Sequence, residues 1–261
     1  MDSNHAQDAQ NNPNKTTKMN TSTNQTQQIG IRSTLAMLLI ALMVSATGVA
    51  QAKEKDTIEI VLPDATYLGK TYPEWAAEFW QWMLGLPLEG HPVVDDGLFD
   101  FSANQSGKVW FWASPEGTIT REVTLPEGKA FLLSLRDVDT SSLEEPPFFG
   151  ATEEQQRSNS VWFADHISDV FCTVDGVPID LTPFRFLTAQ FEFTAPTPFI
   201  FGATGGTGTA VGDGYFLMFP NLPKGRHTIH YGGTFHFEPG ELADEELNFT
   251  KDTTIEMTVG K

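Results

Sequence analysis

Apolar and polar residues alternate with a period of two along much of the chain, and Gly and Pro cut it into short pieces after residue 87. "TIEIVLP" (57–63) reads as an opening strand. "KVWFWAS" (108–114), "TITREVTL" (118–125) and "KAFLLSLR" (129–136) follow, with "PEG" turns at 115–117 and 126–128. "DVFCTVDGVPIDL" predicts a hairpin turning at Asp175-Gly176. "RFLTAQFEFTA" (185–195), "GYFLMFP" (214–220), "RHTIHYGGTFHFE" (226–238) and "TTIEMTV" (253–259) complete about nine strands, a spacing that fits a β-sandwich or jelly roll. The Gly-rich "GATGGTGTAVGDG" (202–214) has no G-K-[ST] and no following helix, so it reads as a flexible loop.

Only two segments carry a helical period. In "YPEWAAEFWQWMLGLP" (72–87), Pro73 and Glu74 suit a first turn, and Trp75, Phe79 and Trp82 recur at i, i+4 and i+7 with Ala76 and Met83 beside them. This helix, 73–85, lacks the Lys and Arg of an interfacial membrane helix, and its stripe predicts burial against a sheet. The second helix covers about 152–167, with Thr152 as its N-cap candidate. The expected architecture is one mainly β domain: a sandwich of jelly-roll type with the Trp-rich helix and one further short helix packed on it.

The first 52 residues follow another pattern. Residues 1–30 are polar, and Arg32, an apolar run from Leu35 to Val44 and Ala50-Gln51-Ala52 then have the order of a signal peptide. The run is shorter than the roughly 20 residues a spanning helix needs, so no stable membrane anchor is expected after cleavage. The expected organisation is a leader and signal peptide over 1–52, starting at Met1 or Met19, and a secreted or periplasmic domain over 53–261. Removing the leader takes three basic and two acidic residues and moves the net charge from −18 to −19. Such acidity opposes nucleic-acid binding and docking on anionic lipid. Cys172 is the single cysteine, so no intramolecular disulfide exists.

Several motifs occur in order: "GKTYPEWAAEFWQWMLGLP", "SGKVWFWAS", "LPEGKAFLLSL", "DGVPIDLTPFRF", "GTGTAVGDGYFLMFPNLPKGRHTIHYGG" and "TTIEMTV". Together they resemble a widespread family of secreted, functionally uncharacterised microbial proteins. The resemblance implies export and a β-rich fold, and no activity. It also implies a cysteine pair at the places held here by Phe101 and Val123, so that one disulfide of the family is missing.

The chain has no G-x-S-x-G elbow, H-E-x-x-H helix, Walker loop or dinucleotide fingerprint. Candidate chemistry falls into three sets. Asp137, Asp139 and Glu144, in an acidic stretch read as following the end of a strand, offer hard oxygens for calcium or an acid/base pair, with His166 further along. His227, His230 and His236 share one strand-like segment and offer imidazoles for zinc or copper; Gly232-Gly233 leaves open a bulge that would change their facing. Trp110, Trp112 and Trp162 offer aromatic surface for a ligand. The leading expectation is an exported, non-catalytic binding or structural module for an extracellular polymer or protein, with a structural cation left open. The rival is a metal-assisted or carboxylate-dependent hydrolase acting on a polysaccharide or similar polymer.

Overall fold

The computed structural model describes residues 57–94, 98–202 and 204–260; the leader and signal segment lie outside them. In chain order these residues form α1 (Tyr72–Leu84), β1 (Val109–Trp112), β2 (Gly117–Pro126), β3 (Ala130–Ser141), α2 (Glu153–Asp165), β4 (Ile167–Val174), β5 (Val177–Pro178), β6 (Arg185–Leu187), β7 (Phe191–Ala195), β8 (Gly206–Phe219), β9 (Gly225–Phe237) and β10 (Leu247–Gly260). The protein is mainly β, as the alternation predicts.

The strands make two five-stranded sheets. One runs β1-β3-β8-β6, with β7 also paired to β8; the other runs β2-β10-β9-β4-β5. Most pairings are antiparallel, but β1 lies parallel to β3 and β2 parallel to β10. One large hydrophobic cluster draws on both sheets. A polar node joins them within it: Trp112 Nε1 donates to Tyr231 Oη at 2.7 Å, Ser114 Oγ lies 2.7 Å from that oxygen, and Ser114 reaches Thr253 at 3.1 Å. Phe101 and Val123, the places of the implied cysteine pair, are buried in this cluster.

α1 begins where Thr71 donates through both its N–H and its hydroxyl to the Glu74 carboxylate, with Pro73 in the first turn. Its buried residues, Tyr72, Trp75, Ala76, Phe79, Trp80, Met83 and Leu84, make one face that packs on β6, β7 and β8. Burying each large side chain is worth roughly 1.5–3 kcal/mol, so the Trp-rich stretch is a core helix. Trp80, which the sequence pattern leaves at the margin of the stripe, is among its buried members.

The hairpin turn at Asp175-Gly176 is present, with φ of 52° and 78° at its two central residues. Both lie in the left-handed region that this short turn demands, which is why Gly follows Asp there.

Three expectations are corrected. Residues 57–63 are not a strand: Val61 N donates to Met218 O, but the next rung is occupied by Tyr72, whose hydroxyl donates to Val61 O and accepts from Met218 N. Residues 206–214 are not a loop but the first part of β8, because their glycines admit close neighbours. A Cβ on Gly212 would stand 2.4 Å from Trp80 Nε1, and one on Gly214 would stand 2.4 Å from Asp137 Cα. Finally, β3 continues through Asp137 and Asp139 to Ser141, because those glycines give it a partner: Asp137 pairs with Gly214 and Asp139 with Gly212.

Candidate functional site

A cavity of about 610 Å3 opens where β3 meets β9 and β10, and both helices contribute to its wall. Its polar side begins in β3. A bulge between Ser134 and Arg136 resets the strand, after which Asp137 and Asp139 take alternate positions. Glu144 joins them from the segment after β3, where the Ser141 hydroxyl accepts from its N–H at 3.2 Å. Glu116, just before β2, and Trp80 of α1 complete the polar wall.

The rest is apolar. Phe235, Phe237 and Phe249 come from β9 and β10, Phe163 from α2, and Phe148 and Phe201 from connecting segments, with Val138, Pro147 and Leu242 between them. Phe148 stacks on Phe163 at 4.5 Å, and Phe235 lies stacked on Phe237 at 6.2 Å.

Asp139 is 3% exposed and Glu144 7%, yet Asp139 Oδ2 and Glu144 Oε2 have no hydrogen-bond partner, nor do Asp137 Oδ2 and Trp80 Nε1. Buried polar atoms are paired in the large majority of cases, so four unpartnered ones around a single cavity mark it as a site. Burial pushes the Asp139 carboxyl well above the usual range, and the charge of Asp137 adds to the rise. Burial does the same to Glu144, with Asp139 adding to it. Asp137 is raised by burial too, although Lys251 and a 2.7 Å hydrogen bond from Ser134 Oγ oppose the change.

Two bases stand behind the wall. Arg136 donates to Glu116 and to Phe249 O, both at 2.5 Å, and its guanidinium lies 4.2 Å from the centroid of Phe235. Lys251 is buried on β10; desolvation lowers its pKa, while Asp137 and Glu116 oppose the fall.

The sequence candidates separate on this geometry. Asp137, Asp139 and Glu144 come together on the cavity. His166 does not join them: its Nδ1 lies 2.7 Å from Trp162 O and its Nε2 3.1 Å from Glu241, with its ring stacked on Phe237. Burial alone would lower the His166 pKa, but Glu241 and the Trp162 carbonyl raise it on balance. Trp162 is 38% exposed and stacks on Phe237, which puts it behind the cavity wall. Trp110 and Trp112 are buried among Phe101, Phe131 and Phe99, so neither offers a flat platform.

The histidines do not converge either. β9 keeps an unbroken register with β10 through Gly232 and Gly233, so no bulge turns His227 toward the others. His227 bonds Asp175 and Pro223 O, His230 bonds Asp252, and His236 bonds Asn248 and Glu238. Among the described residues no group of three His, Cys, Asp or Glu side chains is arranged to hold a metal ion. The expectation of calcium at the acids, or of zinc or copper at the histidines, therefore gains no support here: the acids line a space walled by rings, and each of these histidines has its own partners. Cys172 is buried, and desolvation pushes its thiol up to about 12, so it is no nucleophile.

Sequence reasoning missed Glu116 and five of the six phenylalanines; Phe163, beside Trp162 in the second helix, is the one it offers as a pocket wall, and it takes Trp80 only as a flank of the stripe. Gly212 and Gly214 were the available signal for close approach within a strand.

No family model matches the chain, and no curated protein matches it. Among solved structures, the solution structure of amebosin is matched at 9% identity, over 56% of this chain and 100% of that one, with a TM-score of 0.12, a likeness that carries no argument. No described helix is long and apolar enough to cross a membrane.

Proposed function

We propose that this protein is an exported, non-catalytic module that binds a small organic ligand in the aromatic and acidic cavity. The observation that carries the reading is that Asp137, Asp139, Glu144 and Trp80, each with a buried polar atom that has no partner, line a single space of about 610 Å3. Apolar walls with a few convergent polar groups are what a small-molecule site requires. Export rests on the pattern of residues 32–52. The two sheets are read as the halves of a jelly-roll sandwich, a reading supported by their shared core and mainly antiparallel pairing.

The test is thermal denaturation of the full chain with a library of amphipathic small molecules bearing neutral, cationic and anionic head groups. At least one class is expected to raise the midpoint by several degrees, and Leu242→Trp, which fills the cavity, to abolish the rise. No shift with any class, or a shift untouched by Leu242→Trp, sinks the proposal.

The rival hydrolase is favoured by the burial of Asp139 and Glu144 beside the cavity, which raises both carboxyls above the ordinary range, the direction a general acid needs. Turnover of chromogenic glycosides that disappears in Glu144→Gln would establish that reading over pure binding.

A further inference from the structure

The charges around the cavity do not balance. Four carboxyl groups line it, those of Glu116, Asp137, Asp139 and Glu144, and no Lys, Arg or His does. Of the two buried bases behind the wall, Arg136 is paired with Glu116, and Lys251 feels the charges of Asp137 and Glu116. Only burial, a neighbouring carboxylate and local hydrogen bonds bear on Asp139 and Glu144; no base does. Both side chains are more than nine-tenths buried, and each keeps an oxygen without a donor. Burial by itself favours the protonated acids; only a bound cation would stabilise their ionised forms, so the partner that would complete the site is a positive one.

Beside these acids stand ring faces. Aromatic faces attract cations electrostatically, and more strongly when water is excluded. The chain already uses one of these rings in that way, since the Arg136 guanidinium lies over Phe235. A bare metal ion would want six or more oxygen ligands and would gain little from phenyl groups. A neutral ligand would leave both acids in their protonated form, and an anion would meet four carboxyl groups.

We propose that the cavity binds a protonated organic amine, its ammonium group donating to Asp139 and Glu144 and its apolar body lying against the phenylalanine rings. This rests on the cavity being a ligand site and specifies the class of ligand. The free carboxylate oxygens accept N–H donors, which favours a primary or secondary amine over a quaternary ammonium group.

The experiment uses sets of probes with one apolar body and three heads, taking butyl, hexyl and 2-phenylethyl bodies as the amine, the alcohol and the carboxylate with one added carbon. Affinities are measured by calorimetry on the full chain near neutral pH. At least one amine is expected to bind ten-fold or more tightly than its alcohol, and the carboxylates not at all. Asp139→Asn combined with Glu144→Gln is expected to remove the preference for amine over alcohol while keeping the alcohol's affinity. If the double variant does not fold, as judged by its near-ultraviolet circular dichroism, Glu144→Gln alone serves for the same comparison.

The amine assignment is overturned if an alcohol or carboxylate binds as tightly as its amine, or if the preference survives the substitutions. In the first case, a block by Leu242→Trp would leave the cavity itself standing as a ligand site. Absence of binding by every head on every body overturns the amine assignment, and the cavity reading falls only if the wider library also fails.

Discussion

Asp139 and Glu144 are acids in a place that suits neutral side chains, and this sets how stability responds to pH. In the unfolded chain both titrate at ordinary values; in the folded chain burial lifts both well above them, Asp137 adding to the rise at Asp139 and Asp139 to that at Glu144. Between the two ranges the folded form holds protons that the unfolded form has released, so stability falls as pH rises through that window. The charged groups that bear directly on this titration are Asp137, acting on Asp139, and Asp139, acting on Glu144; Arg136, Glu116 and Lys251 act on Asp137. Asp139→Asn or Glu144→Gln is therefore expected to stabilise the ligand-free protein at pH 7 by about 1–3 kcal/mol. The gain should shrink through pH 4 and vanish at about pH 3, below the ordinary values of both unfolded carboxyls. Urea midpoints at these pH values decide it; an equal or negative effect at pH 7 would contradict the account.

The early part of β8 is made possible by what its glycines lack. Trp80 can lie against the strand because Gly212 has no side chain, so Gly212→Ala is expected to cost about 1–3 kcal/mol by overpacking. Trp80→Leu removes the ring and should recover much of that loss, which a double-mutant cycle in urea would measure; full additivity would mean the two do not meet. The same segment explains what sequence could and could not reveal. The hairpin at Asp175-Gly176 was legible because its turn is local chemistry, and α1 because its burial has a helical period. β3 was cut short because Arg136, Asp137 and Asp139 look like a strand giving way to a loop, when partners 73 to 79 residues later, Gly212 to Tyr215, carry it on. The acids were legible as a set, since they lie within eight residues of each other. The ring wall as a whole was not, because Phe148, Phe201, Phe235, Phe237 and Phe249 are brought to Phe163 only by the tertiary fold.

At the scale of the whole molecule, the two sheets are coupled by more than apolar contact. Tyr231 Oη accepts from Trp112 of the other sheet and meets Ser114 in a buried setting. Tyr231→Phe leaves the indole N–H without its acceptor and is expected to cost about 1–3 kcal/mol. The urea midpoint should fall while the slope stays unchanged, because the surface exposed on unfolding is the same. A changed slope would instead mean that the sheets had separated as independent units.

The parallel pairing of β2 with β10 has a consequence in time. β2 bonds along Gly117–Pro126 to residues 251–260, and β10 also stands between β2 and β9. During synthesis β2 therefore waits, more than a hundred residues behind the growing end, for its sheet to exist. Loop closure over such a distance is slow, and an unpaired strand invites wrong partners. A molecule built this way cannot seat β2 in its sheet until β10 is complete.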